Sequence, residues 1–216
     1  IVASPRVAEG FFISDGMSDA FSGVWVAVKP DIDLMVGVEM GATIQVTGTV
    51  VEAFADEGEP KPTTQTRTQI DVSSPNAVTL VGMEPLPEPI DLTAAELILD
   101  EVAELYEGVL VRLTDLEVTA FRGSNVLLLN GLSSMGTLFH GLDLAWNGIG
   151  TPFASVVGIL HYTTDGFVIM PRGPDDLVRP NVELNECLPV GGYAICTEPE
   201  RFNQAVAQCA SLGGRL

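Results

Sequence analysis

Hydrophobic and polar residues alternate with a period of two over most of the chain, a pattern that favours β-strands. In residues 24–29 the valines fall on one face, while Trp25 and Ala27 fall on the other. Gly48 lies within the long alternating stretch 43–54, where a glycine predicts a bulge or a sharp bend. The strands predicted in this first series are residues 1–3, 11–14, 24–29, 43–54, 68–72 and 78–81.

A second series of strands repeats the order of the first. Residues 125–131 are a weaker copy of residues 10–16, about 115 positions further on. Gly158 lies within a long strand of this series, as Gly48 does in the first. The strands predicted in the second series are residues 108–121, 126–129, 138–144, 153–163 and 167–170. Two related β-domains in tandem are the resulting prediction.

A helical stretch is predicted between the two series, after a connector that contains three prolines. Thr93 followed by Glu96 forms a capping box, the usual signature of a helix N-terminus. The apolar stripe that follows ends at Gly108, and the residues near Asp100 could break the helix in two. The predicted connector and helix span residues 85–107.

The charge of the chain narrows the classes of partner. The 216 residues carry a net charge of −19, with Lys29 and Lys61 as the only lysines. A nucleic-acid-binding surface needs a basic stripe, and the arginines here are scattered, so nucleic acid is not the expected partner. An acidic chain with few lysines is typical of a secreted or cell-surface protein. No apolar run is long enough to span a membrane.

The strand segments resemble a known family. Residues 10–16, 23–28 and 43–54, and the closing segment 167–177, are similar to the OB-fold domains attached to secreted bacterial sugar-non-specific nucleases and surface proteins. The alternation alone would also allow a β-sandwich. The resemblance implies a mainly β fold of two OB-type Greek-key barrels, at residues 1–84 and 108–182, joined by one short helical stretch. It says little about function, because the matching residues form turns and core faces.

The last part of the chain, residues 183–216, has a different character. It holds all three cysteines of the chain, and residues 202–216 form an amphipathic pattern that ends at two glycines. This part resembles the opening of a C-type lectin-like domain. The resemblance implies a disulfide between Cys187 and Cys196 in a small α/β tail, and a partner for Cys209 far downstream.

The two β-units differ at their first strand. The second unit has residues 108–116 ahead of the segment that matches residues 1–3. The first unit therefore lacks about half of its opening strand, and a strand edge left unpaired invites another strand. Two interpretations stay open: the chain is cut from a longer protein, or a neighbouring molecule supplies the strand and the protein self-associates there.

Catalytic signatures are missing from the sequence. It contains no motif of a serine hydrolase, zinc protease, nucleotide-binding P-loop or dinucleotide-binding fold. His140 and His161 are remote from the cysteines and are predicted to be ordinary strand residues. The expectation is a protein that is not an enzyme and has no catalytic residues.

Aromatic residues are the first candidates for a binding site. Phe12, Phe21, Trp25 and Trp146 could form the stacking platform with which OB domains hold single strands or sugars. The alternation places Phe11 and Phe12 on opposite faces, so at least one of them must be in the core. Packing in the core is the alternative for each of these aromatic residues.

Acidic loops are the second candidates. Asp15, Asp19, Asp31 and Asp33 cluster around two predicted strands and could supply the oxygen ligands that Ca²⁺ requires. The alternative is a set of solvated turns, with Asp15 bonding to its own backbone. Arg172 is the expected ion partner of the neighbouring Asp175-Asp176 pair.

Three hypotheses about function follow. The first is a non-enzymatic binding, adhesive or scaffold segment of a larger secreted, modular surface protein, whose partners include other domains of the same polypeptide. The second is a structural subunit of an extracellular fibre that assembles by strand exchange. The third is the substrate-holding accessory domain of a secreted nuclease or phosphatase.

Overall fold

The structure, a computed structural model, describes residues 1–53, 66–122, 126–130, 133–139, 148–163 and 166–180, and the backbone of two short strands beyond them. The fold is mainly β, as predicted. The chain divides into two compact units, Ile1–Arg179 and Pro180–Leu216. Both predicted β-domains belong to the first unit, and they are called here the first half (residues 1–84) and the second half (residues 108–179).

The first half consists of two groups of strands. They are β1 (Gly10–Ser14), β2 (Gly23–Val28), β3 (Ala42–Val46), β4 (Thr49–Ala53), β5 (Arg67–Val72) and β6 (Val78–Met83). One sheet has the order β1-β2-β5-β4, with β2 and β5 parallel, and β3 pairs with β6. The strand predicted at residues 1–3 is reduced to a single bridge between Val2 and Ile13.

Strands β1 and β2 are buried on both faces, and the alternation predicted which residue lies on which face. Phe11 and Val26 face the core of the first half. Their neighbours Phe12 and Trp25 face the other way, into a cluster that also contains residues of the second half. These two strands therefore serve two cores at once, which explains why both of their faces are apolar.

The long strand predicted at residues 43–54 is in fact two strands, and Gly48 lies at the break. The segment before it, β3, pairs with β6, and the segment after it, β4, pairs with β5. A Cβ atom at Gly48 would lie 2.6 Å from the carbonyl oxygen of Asp71 on β5. The predicted sharp bend is confirmed, because only glycine allows the chain to come this close to the neighbouring backbone.

The connector contains a short strand and a broken helix. They are β7 (Ile90–Asp91), α1 (Ala94–Leu97), α2 (Asp100–Ala103) and the 3₁₀ helix Glu104–Tyr106. The capping box of Thr93 and Glu96 is present, and the predicted break falls between α1 and α2. Ala103, Leu97 and Tyr106 pack on the core of the second half, which fixes the connector against that half.

The second half has strands that close on themselves. They are β8 (Leu110–Arg122), β9 (Val126–Leu129), β10 (Ser134–Gly136), β11 (Pro152–Thr163), β12 (Gly166–Met170) and β13 (Leu177–Val178). The order β8-β9-β10-β12-β11 returns to β8, because β11 also pairs with β8. Strands β10 and β12 are parallel. Gly158 bends β11 against the backbone of Met170, as Gly48 bends the first half against Asp71.

The strand predicted at residues 138–144 is not found in the part of that range that the structure describes. The strand that pairs with β9 is β10, which lies several residues earlier, while Leu138 and Phe139 are outside any strand and residues 140–144 lie outside the described part. Only Met135 of β10 is a large apolar residue, so the segment has no alternating signal. A Cβ added at its glycine, Gly136, would lie 2.5 Å from the sulfur of Met170, so the Met170 side chain packs directly on this strand.

The two halves correspond strand by strand, but the match is one residue away from the predicted one. Phe11 faces the core of the first half, and Leu127, not Val126, faces that of the second. Shifting a strand by one residue exchanges its two faces, so the buried residues decide the correct match. Each half also ends in a 3₁₀ helix that starts with proline, Pro75–Ala77 or Pro174–Asp176, followed by a strand.

The predicted ion partner of the second half is confirmed. Arg172 donates two side-chain hydrogen bonds to the carboxylate of Asp176, at 2.9 and 2.7 Å, and its backbone N–H donates a third. Both side chains are largely buried. A bidentate pair of this kind holds the turn after β12 in one geometry.

The second compact unit is described only in part. Its backbone forms an antiparallel pair of strands, β14 (Leu188–Val190) and β15 (Tyr193–Ile195). Cys187 comes immediately before β14 in the sequence and Cys196 immediately after β15, and the structure describes neither residue. Cys209 and the helix predicted at residues 202–216 also lie outside the described residues. The disulfide and the lectin-like domain stay predictions.

Candidate functional site

An aromatic cluster joins the two halves of the first unit. It consists of Phe12 on β1, Trp25 on β2, His161 on β11 and Phe139. Trp25 stacks on His161 with ring centroids 5.8 Å apart and planes 24° apart. Phe12 meets Trp25 edge-on at 4.7 Å and His161 at 5.1 Å. Aromatic pairs at such distances add to the energy of area burial, so this cluster is a firm contact between the halves.

The backbones of the two halves also touch beside this cluster. An added Cβ at Gly23 would overlap the carbonyl oxygen of Gly108. Gly108 itself has a φ of 76°, in the left-handed region that glycine adopts without strain. Glycine is therefore required at both positions, and the contact leaves an open cleft next to it.

The cleft has a volume of about 250 Å³. Phe12 and Trp25 line its apolar side, and Phe21 stands at its edge. Thr68 of β5, with Glu104 and Glu107 of the connector, lines its polar side. Three of the four aromatic residues predicted for binding thus meet at one place.

The three aromatic residues differ in exposure. Phe12 is fully buried and Trp25 is 3% exposed, so both belong to the core as well as to the wall of the cleft. Phe21 is 71% exposed. The predicted stacking platform is therefore reduced to Phe21, backed by two core rings. Trp146, the fourth candidate, lies outside the described residues.

Phe21 has an unusual backbone. Its φ is 63°, a left-handed conformation that a bulky side chain adopts at a cost. Its N–H donates a 2.8 Å hydrogen bond to the carbonyl oxygen of Leu105 in the connector. The loop before β2 is thereby tied to the connector, and an exposed phenyl ring is held at the edge of the cleft.

Glu107 is the principal charged residue of the cleft. Its Oε2 accepts a hydrogen bond from the backbone N–H of Thr68 at 3.3 Å. Its Oε1 is buried and has no hydrogen-bond partner. Burial raises the pKa of Glu107 to about 7, and the neighbouring carboxylates of Glu104 and Glu52 add to this rise. The Thr68 N–H and the charge of Arg67 act in the opposite direction.

Arg67 of β5 lies close to Glu107 but bonds elsewhere. Its guanidinium lies over the ring of Trp25, 5.4 Å from the centroid, within the range of a cation–π contact. It donates two hydrogen bonds to Gln69 Oε1, at 3.1 and 2.6 Å, and Gln69 in turn donates to Asp71. Among the described residues, Glu107 makes no ion pair within 4.0 Å.

His161 is a strand residue, as predicted, and it also lies in the core. It lies within β11 and is 6% exposed, and its Nδ1 has no hydrogen-bond partner. Burial, together with the charge of Arg67, lowers the pKa of His161 to about 3. The imidazole is therefore neutral around pH 7 and acts as one more ring of the aromatic cluster. His140, the other histidine, lies outside the described residues.

The four aspartates predicted to bind calcium do not form a site. Within the described residues, which include all four, no three His, Cys, Asp or Glu side chains are placed to hold a metal ion. Asp15 Oδ1 instead accepts a 2.9 Å hydrogen bond from the N–H of Met17, which is the backbone-bonded turn named as the alternative. Calcium binding by Asp15, Asp19, Asp31 and Asp33 has no support from their arrangement.

Sequence reasoning missed the polar residues of the cleft. Glu107 is one of several acidic residues in the connector, and nothing in the local pattern separates it from Glu101 or Glu104. Its contact with Thr68 depends on how the connector packs across β5, which is a long-range feature. The only local signal is its place immediately before Gly108, where the helical stretch ends.

Comparisons with protein-family models, with curated proteins and with solved structures gave no match in any of the three. Separately, no helix in the described part of the chain is both long and apolar enough to cross a membrane.

Proposed function

We propose that residues 1–180 are two OB-type barrels that act as a non-enzymatic binding segment of a larger secreted, modular protein, and that the cleft holds the ligand. The observation that carries this proposal is the cleft itself, where aromatic residues of the first half meet carboxylates of the connector. Concave sites with apolar walls and a few polar groups are the usual places for ligands.

The OB-type assignment is supported by topology. An OB fold is a five-stranded Greek-key barrel. In the second half, five strands follow each other in a ring, β8-β9-β10-β12-β11, with one parallel pair, β10 and β12. In the first half the parallel pair is β2 and β5, at the same place in the order. Both halves bend their long segment at a glycine pressed on a neighbouring strand.

A binding role is favoured over a purely structural one by Phe21. A phenyl ring that is exposed and held in a left-handed backbone conformation adds nothing to the core. Such strain is most often found at functional sites. The extracellular setting is supported by the net charge of −19 and by the lectin-like pattern of residues 183–216. The fibre subunit and the nuclease accessory domain stay alternatives from the sequence.

The proposal can be tested by NMR with a small panel of probes. Glucose, N-acetylglucosamine, phenol, butyrate and butylammonium are added in turn to labelled protein, and amide shifts are followed. Binding in the cleft shifts the amides of Gly23, Thr68 and Gly108. Phe21→Ala should weaken binding and so reduce the shifts at a given probe concentration, whereas Phe121→Ala, which removes an exposed phenyl ring outside the cleft, should leave them unchanged. Shifts confined to other surfaces, or no shifts with any probe, would contradict the proposal.

A further inference from the structure

The size of the cleft limits what it can hold. Pockets for drug-sized ligands measure roughly 300–1,000 Å³. At about 250 Å³ the cleft is smaller, so it fits a single side-chain-sized group better than an oligosaccharide or a strand of nucleotides.

The charges around the cleft are unbalanced. Glu104 and Glu107 line it, and Glu52 is near enough to raise the pKa of both. Arg67 is the cation that acts on Glu107, and its guanidinium hydrogen bonds are made to Gln69. A buried carboxylate oxygen without a partner, as in Glu107, costs free energy that a donor from a ligand would recover.

The aromatic side of the cleft suits the same type of ligand. Phe21 presents an exposed ring, and the faces of aromatic rings attract cations. Trp25 already carries the Arg67 guanidinium, so the ring next to the cleft is in use as a cation acceptor within the protein. A ligand with an alkyl chain and a cationic head would contact the rings with the chain and Glu107 with the head.

We propose that the cleft binds an organic cation, a primary ammonium or guanidinium group on a short alkyl chain, as in lysine or arginine. This inference rests on the proposed function and adds the chemical class of the ligand. The cation donates hydrogen bonds to the carboxylate of Glu107, while its alkyl chain packs against Phe21. The negative charge of the whole chain draws cations toward the protein but does not select this cleft.

Binding of a cation to Glu107 should depend on pH. A cation binds the ionised form of Glu107, so binding displaces the proton that this carboxyl group holds near pH 7. The groups that face Glu107 are Glu104 of the connector, Glu52 of β4 and Arg67 of β5; His161 beyond Trp25 is neutral. Affinity for the cation should therefore rise from pH 6 to pH 8.

The test compares butylammonium with butan-1-ol, which has the same alkyl chain and no charge. Both are titrated by NMR at pH 8 in 150 mM salt, with the amides of Gly23, Thr68 and Gly108 as reporters. Butylammonium should bind at least about tenfold more tightly than the alcohol, because a charge-assisted hydrogen bond in a partly buried site is worth that much. Side-chain analogues of lysine and arginine, with blocked termini, form a second arm that should also bind.

Two variants and their controls complete the test. Glu107→Gln should weaken the affinity for butylammonium about tenfold or more and should remove the dependence of that affinity on pH. Glu101→Gln makes the same charge change on an exposed helical residue and should leave the affinity unchanged. Phe21→Ala, at an exposed position that leaves the core intact, should weaken binding while Phe121→Ala does not. Amide spectra of the free variants verify that each one folds.

The outcomes separate this inference from the proposed function. If butan-1-ol or a sugar binds in the cleft as tightly as butylammonium, or if Glu107→Gln leaves cation affinity unchanged, the cation inference is overturned and the binding function stands. If no probe of any class shifts the cleft amides, both are overturned.

Discussion

The two halves carry different side chains at the same place in the fold. Phe12 of β1 lies opposite Trp25 of β2, and the matching pair in the second half is Leu128 of β9 opposite Ser134 of β10. The first half thus carries two large rings where the second carries a leucine and a serine. The aromatic cluster and the cleft include these two rings, so the side chains that each half carries, and not the shared fold, decide where such a cleft forms.

The halves also differ in how they are closed. In the first half the long segment breaks at Gly48, and its two parts join different groups of strands. In the second half β11 stays continuous through Gly158 and closes the ring with β8. The second half, whose long strand is continuous, has the larger core. The core of the first half is extended by the loop residues Ile32, Leu34 and Val36.

The largest expected effect comes from removing the aromatic residue that distinguishes the first half. Trp25→Ala should lower the free energy of unfolding by about 3–5 kcal/mol, the usual cost of emptying a buried aromatic site. Ser134→Ala, at the matching position of the second half, should cost no more than about 1 kcal/mol. Chemical denaturation measures both. Equal effects of the two substitutions would contradict the comparison.

The next largest effect tests the backbone contact between the halves. Gly23→Ala places a Cβ against the carbonyl oxygen of Gly108 and should cost about 1–3 kcal/mol. Gly37→Ala is the matched control, since an added Cβ there meets nothing within 4 Å, and it should change stability by less than about 0.5 kcal/mol. Denaturation curves that coincide for the two variants would mean that the halves do not touch at Gly23.

The third prediction concerns pH. Because the pKa of Glu107 is raised in the folded protein, the folded state holds a proton that the unfolded state loses between about pH 4.5 and pH 7. Stability from this group therefore falls as the pH rises through that window. His161 acts oppositely: its lowered pKa makes stability fall as the pH drops below about 6.5.

Glu107→Gln isolates the acidic group from the histidine. The variant should be more stable than the unmodified protein at pH 8, by about 1–2 kcal/mol, and no more stable at pH 4.5. Thermal or chemical unfolding at several pH values gives the comparison. A difference between the two proteins that is independent of pH would show that Glu107 is not buried as described.

The smallest expected effect is at Phe21. Asparagine tolerates the left-handed backbone better than phenylalanine, so Phe21→Asn should raise stability by about 0.5 kcal/mol. Phe121→Asn, in strand β8, should lower it by a similar amount, because asparagine is disfavoured in strands. A loss of stability in the Phe21 variant would mean that its ring supports the fold.

Local patterns predicted the local features correctly. The alternation of β1 and β2 showed which residues share a face, Gly48 and Gly158 marked the bends, and Thr93 marked the start of the helical stretch. Each of these is decided by neighbours in sequence, through periodicity, steric freedom or capping.

Features that depend on distant residues were not predictable. The alternation shows that Phe12 and Trp25 lie on one face of β1 and β2, and that Phe11 and Val26 lie on the other. It does not show that the second half covers the face of Phe12 and Trp25. The short strand β10 forms because it pairs with the parallel strand β12, which is distant in sequence. The place of Glu107 in the cleft likewise depends on its contact with Thr68, which is also distant in sequence. The repeat was matched one residue off, because Gly16 lies five positions after Phe11 in the sequence, whereas Gly131 lies only four positions after Leu127.

The central claim is that the cleft beside Trp25 is a ligand site, and Trp25 itself can report on it. In the variant Trp146→Phe, Trp25 is the only tryptophan of the chain, so its fluorescence reports this site alone. Titration with butylammonium should change the emission of Trp25 to a saturating value, and Glu107→Gln in the same background should move the titration to concentrations about tenfold higher. The account would be contradicted if the emission stayed constant. It would also be contradicted if the emission drifted by the same amount in both proteins without reaching saturation.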